Sequence, residues 1–179
     1  MKFKLMFILS FVILSCSDLK KGRQLEQVME LSNRLDSVSI DWNKSDTILI
    51  NDVFFDCSKT IDTIEFLYNN QKISLDLAKK IDLYKHAKSD AQELKTIQNF
   101  YPTILKEKKQ SLSLLKKDIN KGSGRREKYD EYISFEQKEL TTIKQQLEDY
   151  KATQERCIKN YQSSQKDVHA FLIILKTEK

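Results

Sequence analysis

The sequence predicts a mainly α-helical protein: a long antiparallel coiled-coil hairpin with a small N-terminal head of mixed α/β or irregular structure packed at its base. Two observations carry this prediction. Three glycines and one proline are very few for 179 residues, and 32% of the residues are charged, a balance typical of long helices. Apolar residues also recur at intervals of three and four from residue 77 to residue 175, whereas residues 39–72 lack this regularity.

The first 15 residues have the pattern of a secretory signal peptide. Lys2 and Lys4 give a positive start, and residues 5–14 are apolar except for Ser10. A charged start followed by a short apolar run is typical of a targeting segment that is removed from the mature protein. The run is too short for a membrane anchor, because a spanning helix needs about 20 apolar residues.

The residues that follow point to a cell-envelope protein. Ile13, Leu14, Ser15 and Cys16 resemble the lipobox of bacterial lipoproteins, and this resemblance covers only residues 1–16. It implies that Cys16 becomes the mature N-terminus and carries acyl chains such as palmitate, which hold the protein on a membrane facing the periplasm. Two or more acyl chains give stable anchoring. Ser17 stands where an inner-membrane lipoprotein would carry aspartate, which favours the outer membrane. An ordinary cleaved signal is the alternative.

The residues between this signal and the hairpin are harder to interpret. Residues 16–24 are polar and basic, as expected of a short tether, and residues 25–72 would form the head. Helical spacing predicts a helix over 23–39. Residues 39–56 contain β-prone runs that suit either a hairpin or extended packing segments. Residues 57–72 fit either a helix that stops at Asn69–Asn70 or two strands joined by a turn at these asparagines. Either structure reverses the chain.

Residues 73–179 carry the hairpin, with arms near 73–120 and 126–176. Two of the three glycines lie between the arms, in Lys121–Gly124. Ten of thirteen seam positions in each arm are apolar, which indicates a coiled coil. The first seam consists of Leu77, Lys80, Tyr84, Ala87, Ala91, Leu94, Gln98, Tyr101, Leu105, Lys108, Leu112, Leu115 and Ile119. The second consists of Ile133, Glu136, Leu140, Ile143, Leu147, Tyr150, Gln154, Cys157, Tyr161, Ser164, Val168, Phe171 and Leu175.

The turn fixes which residues of the two arms should lie level. In an antiparallel hairpin turning near residue 123, the numbers of level partners sum to about 245. Pro102 interrupts the first arm and removes one backbone hydrogen bond. The seam nevertheless stays in phase across it, so we prefer one kinked arm over two separate helices.

Cys57 and Cys157 are the cysteines that remain once Cys16 is acylated. An even pair in an oxidising compartment predicts a disulfide. A reversal at Asn69–Asn70 places Cys57 near residue 83, and the hairpin places Cys157 near residue 88. These levels differ by about 7.5 Å along a helix, close to bonding range. Two buried free thiols are the alternative.

No motif in the chain points to catalysis. It lacks a Gly-rich phosphate loop, a His-Glu-x-x-His motif and a nucleophile elbow. His86 and His169 fall roughly 15 Å apart in the predicted hairpin, too far to share a metal. We therefore expect no catalytic residue, metal site or cofactor. A formal net charge of +5 is too small to suggest nucleic-acid binding.

The hairpin tip is the best candidate for a binding surface. Residues 116–128 contain six basic and two acidic side chains, and two off-seam aromatic residues follow. Arginines beside exposed aromatics are typical of protein interfaces, so Arg125, Arg126, Tyr132 and Phe135 are predicted to bind a partner. A basic cluster also attracts anionic lipid head groups. The alternative is a solvated turn with both aromatics folded onto the seam.

Together these features predict a membrane-anchored lipoprotein that acts without catalysis, as a scaffold, spacer or adaptor in the cell envelope. Its partners would be the membrane, reached through the N-terminal lipid, and an envelope protein. The alternative is a periplasmic ligand carrier with a pocket between the head and the hairpin base.

Overall fold

The computed structural model describes the backbone of residues 2–45, 47–69 and 72–177, and side chains within these ranges from residue 19 onward. The chain forms four α-helices, and no strand occurs among the described residues. They are α1 (Lys2–Asn43), α2 (Thr47–Leu67), α3 (Leu75–Lys121) and α4 (Tyr129–Thr177). The prediction of a mainly α-helical protein is thus confirmed. The expected lipid site at Cys16 lies outside the residues whose side chains are described.

The helices form two compact units. Unit 1 contains Met1–Asn43 and Thr103–Gln145, and unit 2 contains Lys44–Pro102 and Gln146–Lys179. Each unit therefore has three helical segments: a part of α3, a part of α4, and either α1 or α2. Helix α3 continues through Pro102, as we preferred from the phase of the seam.

In unit 1, α3 and α4 run in opposite directions. Lys108 pairs with Glu136 at 2.8 Å, and Asp118 lies beside Tyr129, so higher numbers on α3 meet lower numbers on α4. Helix α1 lies against both. The buried residues of α1 recur at helical spacing and are Gln24, Val28, Leu31, Leu35, Val38 and Trp42.

Unit 2 repeats this arrangement with α2 as the third helix. Arg156 of α4 donates two hydrogen bonds to Asp90 of α3, and Gln98 of α3 donates to Tyr150 of α4. The apolar seam positions of both arms are buried throughout, except for Leu77 and Tyr161, which are half-buried.

The predicted mixed head is wrong, because its β-prone part is helical. Residues 47–67 form α2, whose buried residues Ile50, Val53, Cys57, Ile61 and Ile64 follow a helical spacing. The runs looked like strands because exposed apolar residues stand between the buried ones. Packing against α3 and α4 outweighs the local β-propensity, which depends strongly on context. The segment 25–72 is also divided between the units, and residues 19–24 of the expected tether lie in α1.

Candidate functional site

The loop that joins α3 to α4, which we call the basic loop (residues 121–128), is a rigid turn. Gly122 has φ +64° and directly follows the last residue of α3. Its N–H donates to the carbonyl of Ile119, and the N–H of Ser123 donates to the carbonyl of Asp118. These two bonds form a Schellman motif, which closes a helix C-terminus and needs a residue that tolerates positive φ.

Two side chains then fasten the basic loop. Arg126 Nε donates to the carbonyl oxygen of Gly122 at 2.6 Å, and its guanidinium group fills the space that a Cβ on Gly122 would occupy. Tyr129 is buried, and its hydroxyl contacts the carbonyl oxygens of Asp118, at 2.9 Å, and Ser123. Tyr129 was not predicted from the sequence to be buried, because it precedes the first position assigned to the second seam.

Residues 20–24 of α1 pack beside this loop. Gln24 Nε2 donates to Asp130 Oδ1 at 2.6 Å, and Lys20 Nζ lies 3.1 Å from Asp130 Oδ2. The hydrogen bonds from Gln24 and then Lys20 lower the pKa of the Asp130 carboxyl group. Residues 20–24 are therefore held against the beginning of α4, at Asp130, which follows the last residue of the basic loop by two residues.

The two segments border an open basic pocket of about 450 Å³, which we call the basic cavity. Four cationic side chains and one carboxylate contribute to its lining, together with the buried Tyr129. The charged residues that line it are Lys20, Lys21, Lys121, Arg126 and Glu127. Such a cavity suits an anionic group such as a phosphate.

The structure places the four residues predicted to bind a partner in two neighbouring segments of unit 1, the basic loop and the first turns of α4. Arg126 lines the basic cavity, whereas Arg125 is exposed nearby in the same loop. Tyr132 and Phe135 are exposed on α4 and are not folded onto the seam. The Lys108 ammonium group lies 5.6 Å from the centre of the Phe135 ring.

Unit 2 contains a polar cluster that sequence reasoning did not find. Asp56 Oδ2 accepts hydrogen bonds from the hydroxyls of Tyr84 at 2.6 Å and Tyr161 at 2.8 Å. His169 Nε2 lies 3.2 Å from the same oxygen and 3.0 Å from the Tyr84 hydroxyl. We name these four residues the polar cluster. One carboxylate of α2 thus ties this helix to both α3 and α4.

The polar cluster favours the neutral phenols. Burial, and then the hydrogen bond to Asp56, raise the pKa of Tyr84 and of Tyr161 above that of a free tyrosine. Both hydroxyls consequently remain donors, and their position between three helices indicates a structural role. His86, in contrast, is exposed on α3.

Cys57 and Cys157 are both buried, and the predicted disulfide is not formed in the structure. The Cys57 thiol is hydrogen-bonded with Tyr84, whereas the Cys157 thiol donates to the carbonyl of Ala87 at 3.4 Å. These two contacts are one turn of α3 apart, about 4.5 Å along its axis. Burial is the main cause that raises the pKa of Cys57 to about 12 and that of Cys157 to about 11.

Among the side chains that the structure describes, in residues 19–45, 47–69 and 72–177, no group of three or more His, Cys, Asp or Glu is arranged to hold a metal ion. Across the same described residues, no helix combines the length and the apolar character needed to cross a membrane.

Comparison with known proteins gave no relative. No protein-family model, curated protein or solved structure matches this chain.

Proposed function

We propose that this protein is a lipoprotein anchored through Cys16 in the cell envelope, with the outer membrane favoured, and that it acts by contact as a scaffold, spacer or adaptor. The lipobox-like residues 13–16 support the anchor. Its working part would be the two helical units, whose interiors are filled by their own seam residues.

The proposed contact role rests on exposed apolar residues in unit 2. Phe66 is 78% exposed, Leu75 is 74% exposed and Ile173 is 63% exposed, and Ile174, which follows Ile173 in sequence, is also exposed. We call these four residues the apolar end. Exposed apolar residues that share one end of a unit favour protein–protein or membrane contact there.

The helix directions in unit 2 bring these residues to one end. Asp56 contacts Tyr161 and Thr60 contacts His169, so α2 and α4 run in the same direction. Lys80 of α3 reaches the carbonyl of Ser163, so α3 runs the other way. The C-terminal ends of α2 and α4 therefore share an end of the unit with the beginning of α3.

Photo-crosslinking in cells tests the contact role. A crosslinkable amino acid at Ile173 should capture one defined envelope protein, because this side chain would be buried in the complex. The substitution Leu75→Asp in the same chain should abolish that capture. The same crosslinker at Gln162, an exposed polar position of α4 in unit 2, is the matched control and should capture nothing.

The anchor has its own test. The mass of the N-terminal peptide should include the acyl chains, and Cys16→Ala should change membrane fractionation. An unmodified Cys16 together with unchanged fractionation would refute the lipoprotein assignment. A small molecule retained in the native mass spectrum, with no crosslinked partner, would favour the carrier function instead.

A further inference from the structure

The basic loop lies close in space to the predicted anchor. Lys20 is four residues after Cys16. Four residues span at most about 14 Å when fully extended, whatever their conformation. If the acyl chains of Cys16 lie in a bilayer, Lys20 must lie within about this distance of the bilayer surface.

The contacts of Asp130 extend this constraint to the basic loop. Lys20 Nζ lies 3.1 Å from Asp130, and Gln24 donates to the same carboxylate at 2.6 Å. Asp130 follows the basic loop by two residues, and Lys20 and Arg126 line the same cavity. The basic loop therefore lies close to the membrane in which the acyl chains of Cys16 are inserted.

The charge of this region complements an anionic membrane. Helix α1 contributes Lys20, Lys21 and Arg23, and the loop contributes Lys121, Arg125, Arg126 and Lys128, the last of which pairs with Glu131. Asp130 and Glu127 offset only part of this charge. Basic side chains held near a membrane surface are attracted to its anionic head groups within a Debye length, about 10 Å at 0.1 M salt.

We propose that the basic loop, together with residues 20–23, lies on the surface of the membrane that holds the lipid anchor and binds the phosphate head groups of its anionic phospholipids. This proposal rests on the proposed function, because it requires lipidation at Cys16. It assigns Arg125 and Arg126 to the membrane and not to a protein partner. The phosphates would enter the basic cavity, where backbone bonds and Tyr129 already hold the loop rigid.

The test uses the full lipidated protein, reconstituted in vesicles of phosphatidylcholine with or without phosphatidylglycerol. A fluorophore at Ser123 reports contact with a quencher attached to lipid head groups. The fluorophore should be quenched strongly on vesicles with phosphatidylglycerol, and quenching should fall when the salt is raised from about 0.1 M to about 1 M, where the Debye length is about 3 Å. A fluorophore at Thr142, which is exposed on α4 in the same unit, should show little quenching.

A charge variant and its matched control identify the cations. Substituting Lys21, Lys121 and Arg125 by glutamine should reduce quenching at Ser123 to the level seen on phosphatidylcholine alone. Arg126 is left in place because it fastens Gly122. The control variant carries glutamine in place of three exposed lysines elsewhere in unit 1, Lys106, Lys138 and Lys144. Its fluorophore at Ser123 should be quenched as strongly as that of the unaltered protein.

Flotation of the vesicles separates this proposal from the proposed function. Protein that floats with the vesicles but is not quenched at Ser123 overturns the membrane contact and leaves the anchor intact. Equal quenching in the two glutamine variants also overturns it. Protein that does not float refutes the anchor and this proposal together. A crosslinker at Ser123 that captures a protein in cells, and no lipid, would reassign the loop to a protein partner.

Discussion

At the scale of single residues, the polar seam positions of α3 are paired with polar groups of α4, as Lys80 is with the carbonyl of Ser163. Lys108 and Glu136 occupy seam positions that an apolar residue would normally fill, and their side chains are only 11% and 8% exposed. Lys108 Nζ lies 2.8 Å from one carboxylate oxygen of Glu136, and Ser111 donates to the other at 2.6 Å. Gln98 likewise donates to Tyr150. These pairs fix the register of α3 against α4, because a shifted register would bury a charge without a partner.

Removing one member of the buried pair should therefore be costly. We expect Glu136→Ala to lower the free energy of unfolding by up to about 3–5 kcal/mol, since it leaves the buried Lys108 ammonium group with only the half-exposed Glu139 carboxylate, 3.9 Å away. Urea denaturation followed by circular dichroism measures this change.

A matched control shows how much of this loss of stability is due to burial and how much to the loss of an ion pair. Asp36 and Lys109 form an exposed pair at 2.8 Å in the same unit, so Asp36→Ala should cost only about 0–1 kcal/mol. The double variant Lys108→Met with Glu136→Leu should retain the stability of the unaltered protein or exceed it, because neither charge is then buried. Equal losses for Glu136→Ala and Asp36→Ala would contradict this account.

The cysteines allow a second prediction at this scale. Thiolates, not thiols, react with alkylating agents, and burial raises the pKa of Cys57 to about 12 and of Cys157 to about 11. At pH 8 we expect iodoacetamide to modify the folded protein much more slowly than the protein in urea, with both thiols modified after denaturation without reductant. Because the folded-state pKa values are raised, the stability that these thiols contribute is present below pH 9 and declines as the pH approaches 11–12.

Mass spectrometry of the alkylated peptides reads the outcome. A linked Cys57–Cys157 peptide in the absence of reductant would contradict the free thiols seen in the structure and establish the disulfide predicted from the sequence.

At the scale of elements, Pro102 is a helix-destabilising residue within α3. It lies inside α3, is exposed, and has no N–H to donate to the carbonyl of Gln98 one turn earlier. The division between the two units also falls at this residue in α3. Heptad phase is conserved across it because the seam residues Gln98, Tyr101 and Leu105 keep their spacing.

We expect Pro102→Ala to raise the free energy of unfolding by about 1–3 kcal/mol, because alanine restores a backbone hydrogen bond and removes the ring from the preceding turn. The neighbouring exposed residue offers a control: Thr103→Ala should change stability by less than about 1 kcal/mol. Thermal and urea denaturation of both variants measure the difference. A loss of stability in Pro102→Ala would mean that the proline is required for a bend in α3.

The elements also show where sequence reasoning succeeds and fails. The arms were predictable because a heptad pattern over thirteen positions leaves little choice of period or face. Helix α2 was not, since its exposed Ile48 and Phe55 fill the gaps between buried residues and imitate a strand. Only the neighbouring helices, which are absent from any local pattern, reveal which of these apolar residues is buried.

The polar cluster was partly within reach of the same reasoning. Level partners that sum to about 245 place Tyr84 opposite Tyr161, and the reversal at Asn69–Asn70 places Asp56 near Tyr84. Three of its four members could thus have been brought together. His169 could not, because it is two turns further along α4 and reaches back to Asp56 with its ring.

At the scale of the whole molecule, the seam residues of α3 and α4 are buried within a single chain. In each unit a third helix covers the pair, so the described apolar seams are closed without a second copy. The two proposed contact surfaces lie in different units, the basic loop in unit 1 and the apolar end in unit 2. This separation is consistent with two kinds of contact, one with lipid and one with protein.

If α3 and α4 pair within one chain, the distances between labelled residues on the two helices can be predicted. Because Lys108 pairs with Glu136, the exposed Lys106 and Lys138 should lie level on neighbouring helices of unit 1. Packed helix axes are about 8–10 Å apart, so spin labels at these two positions should give a short distance. Labels at Lys106 and Lys144 should give a longer one, since Lys144 lies about 9 Å further along α4. Mixing with excess unlabelled protein should leave both distances unchanged, whereas loss of the short distance on mixing would indicate that the seams pair between chains.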